Sequence, residues 1–214
     1  MKICTLCPRM CAVDRKSGER GICGQTTEIK VARAALHFWE EPCISGEMGS
    51  GAVFFSGCAL HCVFCQNENI ANGTAGKVIS TERLGKIFLE LQEKGANNIN
   101  LVTPGQFVPQ IIKAVELARN QNLKIPIVYN TSSYENVDTI RSLEGIVDIY
   151  LPDFKYFDTA LSVKYSHAPD YPAVAKAVIA EMVRQTGAAV FENGEDSLMK
   201  RGTIVRHLIL PGCT

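Results

Sequence analysis

The sequence predicts an α/β fold, a mostly parallel sheet with helical crossovers, preceded by a small Cys-rich knuckle. Short apolar runs recur along the chain, and stretches with apolar residues at helical spacing separate them. The runs lack in–out alternation, which suits strands buried on both faces. Four cysteines crowd the first 24 residues, a segment too short to build a core of its own. Strands that alternate with helices join through right-handed crossovers. Periodicity leaves a partial barrel and an open doubly wound sheet both standing. Either would gather ligands at the C-terminal ends of its strands.

Residues 1–27 form the knuckle, with Pro8, Gly18, Gly21 and Gly24 at its turns; residues 28–214 form the α/β domain. Ile29 to Glu40 reads as extended, and Gly46, Gly49 and Gly51 mark a loop. Ala52 to Phe55 is an apolar run stopped at Gly57, a buried strand. A helix over 81–94 carries Leu84, Ile87, Phe88 and Leu91, with Ser80 as N-cap and Gly95 at its stop. Ile99 to Val102 is a strand. Val108, Ile111, Ile112, Val115 and Ala118 mark a second helix. Ile125 to Tyr129 is a strand, Val137 to Leu143 a helix, and Val147 to Leu151 a strand. Val174, Val178 and Met182 place a helix within 172–186, and Thr203 to Leu210 is the last strand. The segments after Gly57, Val102, Tyr129 and Leu151 should therefore surround one site.

The balance of 22 basic and 22 acidic residues gives no global field to draw nucleic acid or an anionic membrane. No apolar run approaches the ~18 residues of a membrane span. The start, Met1 to Cys4, lacks the apolar stretch of a secretory signal. A cytoplasmic setting with reduced thiols is expected. Nine cysteines then need a purpose, and seven fall in two groups: 4, 7, 11 and 23, then 58, 62 and 65. The odd count and the setting argue for metal over a disulfide scaffold.

The second group is Cys58-x3-Cys62-x2-Cys65, directly after a predicted strand. A structural zinc wants four ligands, and a simple ferredoxin cluster wants four cysteines. Three thiolates on a four-iron cluster leave one iron open, the mark of a catalytic site. His61, adjacent to Cys62, is expected to point away. A zinc knuckle with a distant fourth ligand is the alternative.

This motif, with Phe64 before its last cysteine, resembles the radical S-adenosylmethionine (SAM) signature. Glu41-Pro-Cys-Ile-Ser-Gly46, Gly49-Ser-Gly51, Phe54-Phe-Ser-Gly-Cys58 and Cys62-Val-Phe-Cys-Gln-Asn67 resemble the branch called pyruvate formate-lyase activating enzyme-like. Leu151-Pro-Asp-Phe-Lys155, Glu181-Met182 and Arg206-His-Leu-Ile-Leu-Pro-Gly212 do so too. The resemblance implies a partial (β/α) barrel with parallel strands and a 4Fe–4S cluster on Cys58, Cys62 and Cys65. It also implies SAM bound at the open iron and cleaved to a 5′-deoxyadenosyl radical for hydrogen abstraction. Relatives run on past the strand at 203–210, so a last C-terminal unit is expected to be missing.

For SAM, the resemblance directs attention to the strand ends. Thr103, in Asn100-Leu-Val-Thr103-Pro104-Gly105, stands where relatives carry a Gly-Gly-Glu segment. Asn130 and Ser132 suit ribose hydroxyls or helix capping. Asp153, with Lys155, suits a functional pair or a structural ion pair. Arg206 is a further candidate for a carboxylate. The catalytic residues are not legible.

Cys4, Cys7, Cys11 and Cys23 supply four thiolates, enough for a zinc site or an auxiliary iron–sulfur cluster; free thiols are the third reading. Cys43 and Cys213 are expected as buried small residues. Three functions follow. One is a radical SAM enzyme activating a glycyl radical enzyme, fed by a one-electron donor such as flavodoxin or ferredoxin. Another is a radical SAM enzyme with a different substrate. The third is an iron–sulfur or zinc module for electron transfer or binding.

Overall fold

The computed structural model describes residues 3–192 and 197–212, so the expectation for Cys213 lies outside the described residues. After the knuckle, β1 (Ile29–His37) runs to a single turn, α1 (Pro42–Ser45), which Pro42 opens. β2 (Ser50–Phe55) leads into the thiol loop, and α2 (Glu68–Ala71) and β3 (Lys77–Ile79) follow. Then come α3 (Thr81–Glu93), β4 (Ile99–Val102), α4 (Val108–Arg119) and β5 (Ile127–Thr131). α5 (Val137–Arg141), β6 (Ile149–Phe154), α6 (Thr159–Ser166) and α7 (Tyr171–Thr186) complete the crossovers. β7 (Val190–Phe191), β8 (Met199–Thr203) and β9 (Arg206–His207) end the described chain.

The strand order is β3-β1-β2-β4-β5-β6-β8-β7, with β9 beside β6. β2, β4, β5, β6 and β8 run parallel, as expected of a partial barrel. The edges depart from an all-parallel reading: β1 pairs antiparallel with both β2 and β3, and β7 antiparallel with β8. Each parallel strand sends one set of side chains to the outer helices and the other inward. Leu101, Tyr129 and Tyr150 pack in the main core with Leu84, Phe88, Ile111 and Val115 of α3 and α4. Val128, Ile149 and Leu151 pack on the other side with Ile44 of α1 and Met199. Truncating a side chain such as Phe88, which is wholly buried, costs about 3–5 kcal/mol.

Ser80 caps α3 as expected, its Oγ accepting from the Arg83 amide at 3.1 Å. Other boundaries move. β5 starts two residues late because Pro126 has no N–H to donate to a ladder. β6 also starts two residues late and runs on to Phe154, which brings Asp153 onto the strand. The strand expected at 203–210 is displaced toward the N-terminus as β8; of that stretch Thr203 pairs with Tyr150, and Arg206 and His207, as β9, pair with Asp153 and Phe154. Gly51 belongs to β2 and not to a loop, paired with Leu36 and Ile99, and a Cβ there would meet the Asn98 carbonyl at 2.8 Å. Cys43 is only partly buried, packed beside the Ile44 cluster.

Candidate functional site

Cys58 follows β2 after Ser56 and Gly57, where Gly57 takes φ +88°. The loop it opens is held from several sides. Gln106 Nε2 reaches the carbonyls of Ser56 (2.9 Å), Gly57 (3.1 Å) and Thr103 (2.9 Å), joining the ends of β2 and β4. The Val63 amide donates to Tyr165 O at 2.9 Å. His61 Nε2 lies 2.9 Å from Ile22 O, so its ring points to the knuckle, as expected, and away from the thiols.

Cys58, Cys62 and Cys65 are free thiols. The Leu60 amide points at Cys58 Sγ from 3.4 Å. Burial pushes the Cys58 thiol up, against the pull of the His61 and Leu60 amides. Among the described residues no three His, Cys, Asp or Glu side chains gather as the ligands of one metal ion. A four-iron cluster does not ask for that, because each thiolate binds a different iron.

A small cleft, about 30 Å3, opens at the strand ends. Cys58 and Ala59 line it from the thiol loop, and Thr103, Gly105 and Gln106 from the end of β4. Thr131, Ser132, Tyr134 and Glu135 line it from the end of β5, and Cys4, Leu6, Cys7, Arg15 and Cys23 from the knuckle. Thr103 and Ser133 adopt left-handed backbone conformations, at φ +54° and +63°. Such strain in non-glycine residues collects at functional sites.

The four residues expected at SAM divide. Thr103 and Ser132 line the cleft. Asn130 and Asp153 enter a polar network around Arg206. Its guanidinium donates to Asp153 Oδ1 (2.7 Å) and Asn130 Oδ1 (2.6 Å), and approaches Glu40 Oε2 (3.4 Å) and Glu41 Oε1 (3.7 Å). Lys155 Nζ holds the other Asp153 oxygen at 2.7 Å. Burial pushes the Glu40 carboxyl up to about 7, although Arg206 pulls it down. Lys155 and His207 line a second, neighbouring cleft with Phe157 and Leu161. Tyr171 joins the groups: its hydroxyl accepts from the Lys155 amide (2.8 Å) and shares its proton between Ser132 O and Asp153 O, each 2.9 Å away.

Sequence reading missed Glu135. Its Oε1 accepts from Thr131 Oγ1 (2.8 Å) and Tyr129 OH (3.2 Å), while its buried Oε2 has no hydrogen-bond partner among the described residues. Burial pushes this carboxyl up to about 7. A Cβ at Gly105 would stand 2.5 Å from Oε2, so the glycine leaves that oxygen its space. The strand-end rule pointed to this loop, and the only sequence signal was an acidic residue four positions past the end of β5.

Residues 52–185 match the Radical SAM superfamily. Across 217 aligned positions the chain is 27% identical to the uncharacterized protein MJ0674 of Methanocaldococcus jannaschii. The alignment takes in 98% of this chain and 57% of that protein's length.

Proposed function

Because this chain belongs to the radical SAM superfamily, we propose that it is an iron–sulfur enzyme that cleaves SAM reductively and activates a glycyl radical enzyme. One observation carries the reading. The same cleft is lined by Cys58, two polar strand ends and Glu135, whose buried Oε2 has no hydrogen-bond partner among the described residues.

The residues fit the cofactors that the family implies. Cys58, Cys62 and Cys65 would hold a 4Fe–4S cluster and leave one iron open. Bound there, the cluster would supply the electron that breaks a carbon–sulfur bond of SAM, giving methionine and a 5′-deoxyadenosyl radical. The protein's share is position and dryness. Glu135 Oε2 takes the ammonium group of SAM, standing in for the acidic residue that Thr103-Pro104-Gly105 lacks. An unpartnered buried acceptor is costly until such a donor arrives. Thr103 and Ser132 line the path of the ligand. Asn130 and Asp153 belong to the same binding set, the first adjoining the cleft-lining Thr131 and the second tied to Ser132 through Tyr171. The knuckle closes one wall and excludes water.

The glycyl radical target rests on the motifs shared with the activating-enzyme branch, and it requires a one-electron donor of the flavodoxin or ferredoxin class. Anaerobic reconstitution with iron, sulfide and dithionite tests both levels. Wild type should release 5′-deoxyadenosine from SAM and Cys58→Ala should not. A cluster-loaded wild type that leaves SAM intact sinks the reading. An EPR doublet in an added glycyl radical enzyme selects the activating role, while SAM cleavage without it assigns another substrate.

A further inference from the structure

The knuckle brings four more thiols to this cleft. Cys4, Cys7 and Cys23 line it together with Cys58. Cys11 Sγ accepts from the Ile22 amide at 3.3 Å. A Cβ on Gly21 would stand 2.8 Å from that sulfur, so the backbone is shaped around it. Backbone amides of Arg9 and Gln25 point at Cys7 and Cys23. None of the four is in a disulfide.

A buried cation stands beside them. Arg15 is 5% exposed and has no carboxylate partner among the described residues. It donates to the carbonyls of Gln25 (3.1 Å), Gln106 (2.8 Å) and Thr26, and its Nη1 lies 3.9 Å from Cys4 Sγ. Carbonyls satisfy its hydrogens but leave its charge unbalanced, which is costly in a buried place. Neutral thiols would not offset that charge; metal-bound thiolates would.

The spacing chooses the metal. Structural zinc sites draw on paired ligands that close on one ion. Here three cysteines lie close together and one is remote, Cys4-x2-Cys7-x3-Cys11 and then Cys23, the layout of cluster-binding cysteines. We propose that Cys4, Cys7, Cys11 and Cys23 hold a second iron–sulfur cluster, with Arg15 as its buried counter-charge. Four thiolates close it, so it offers SAM no open iron. The knuckle is also fixed to the first site. Arg9 donates to the carbonyls of Ala59 (2.9 Å) and Leu60 (3.5 Å), between Cys58 and Cys62. Gly57 packs so tightly on Cys23 that a side chain there would collide with the Cys23 carbonyl.

The inference does not need SAM chemistry, and its test does not read it. The full chain carrying C58A, C62A and C65A together is purified anaerobically and assayed for iron, sulfide and zinc. It should retain about four irons and four sulfides per chain with thiolate-to-iron visible absorption. Changing Cys4, Cys7, Cys11 and Cys23 to serine should instead halve the iron of wild type. Retention of zinc alone, or of no metal, by the triple variant overturns the proposal. Should that variant not fold, alkylation of intact wild type decides. Protection of all four knuckle thiols at about eight irons per chain supports a second cluster, and free labelling of them in iron-loaded protein refutes it.

Discussion

The imidazole Nε2 of His61 stands 2.9 Å from the carbonyl oxygen of Ile22 and donates its proton across the seam between thiol loop and knuckle. His61 holds φ +51°, a conformation that asparagine tolerates better than alanine does. His61→Ala should therefore lose about 1 kcal/mol and speed alkylation of Cys58, Cys62 and Cys65 in metal-free protein. His61→Gly should keep the backbone but not the bond. Unchanged thiol reactivity in both would show that the seam is held without this ring.

Arg9 is the stronger fastener. It reaches the carbonyls of Ala59 (2.9 Å), Ser166 (2.9 Å) and His167 (2.7 Å), and lies over the Tyr134 ring at 5.1 Å. Arg9→Met keeps the aliphatic stem and loses the charged hydrogen bonds. The expected loss is about 2–4 kcal/mol, read as a lower denaturation midpoint with an unchanged m value. A midpoint equal to wild type would count against the clamp.

Glu135 should make SAM binding depend on pH. Its carboxyl is raised to about 7, so it is charged above that pH and protonated below it. Affinity for the SAM ammonium should fall by up to tenfold for each pH unit below 7. Glu135→Gln should bind SAM weakly with no such slope. Folding carries the same signature. Between pH 4.5 and 7 the folded chain holds a proton that the unfolded chain releases. Stability should thus fall by about 3 kcal/mol as pH rises through this window, and the variant should flatten the curve.

Arg206 holds Glu40 partly ionised against burial. Arg206→Gln removes that pull, so the Glu40 carboxyl should rise further above about 7. The variant should then lose more stability at pH 8 than at pH 5, by about 1 kcal/mol. Arg206→Lys should recover part of the loss, because a single ammonium replaces the charge but not the fork that reaches Asp153 and Asn130 together. Equal losses at the two pH values would place Glu40 outside the pair.

The parallel core was legible because Ala52 to Phe55 is an unbroken apolar run and α4 carries its apolar residues at helical spacing between clear stops. The strand edges were not: Pro126 and the break between β8 and β9 at Ile204 act through hydrogen bonding, which hydrophobic pattern does not record. The short α6 was invisible, its apolar residues too few and too scattered to show a period. At the site, three cysteines announced themselves by spacing. Glu135, Gln106 and Arg15 did not, because each matters through burial and a missing or distant partner. No local pattern encodes that Gly105 vacates space for a carboxylate thirty positions on, or that Arg15 reaches Gln106.

Tyr171 makes one phenol answer for two strands. Its oxygen meets the carbonyls of Ser132 and Asp153 and the amide of Lys155. The first turn of α7 is therefore geared to both: a ligand that displaces the end of β5 must drag or break the end of β6. Tyr171→Phe would uncouple them while leaving the aromatic stack on Tyr134 in place, turning one concerted rim into two independent parts.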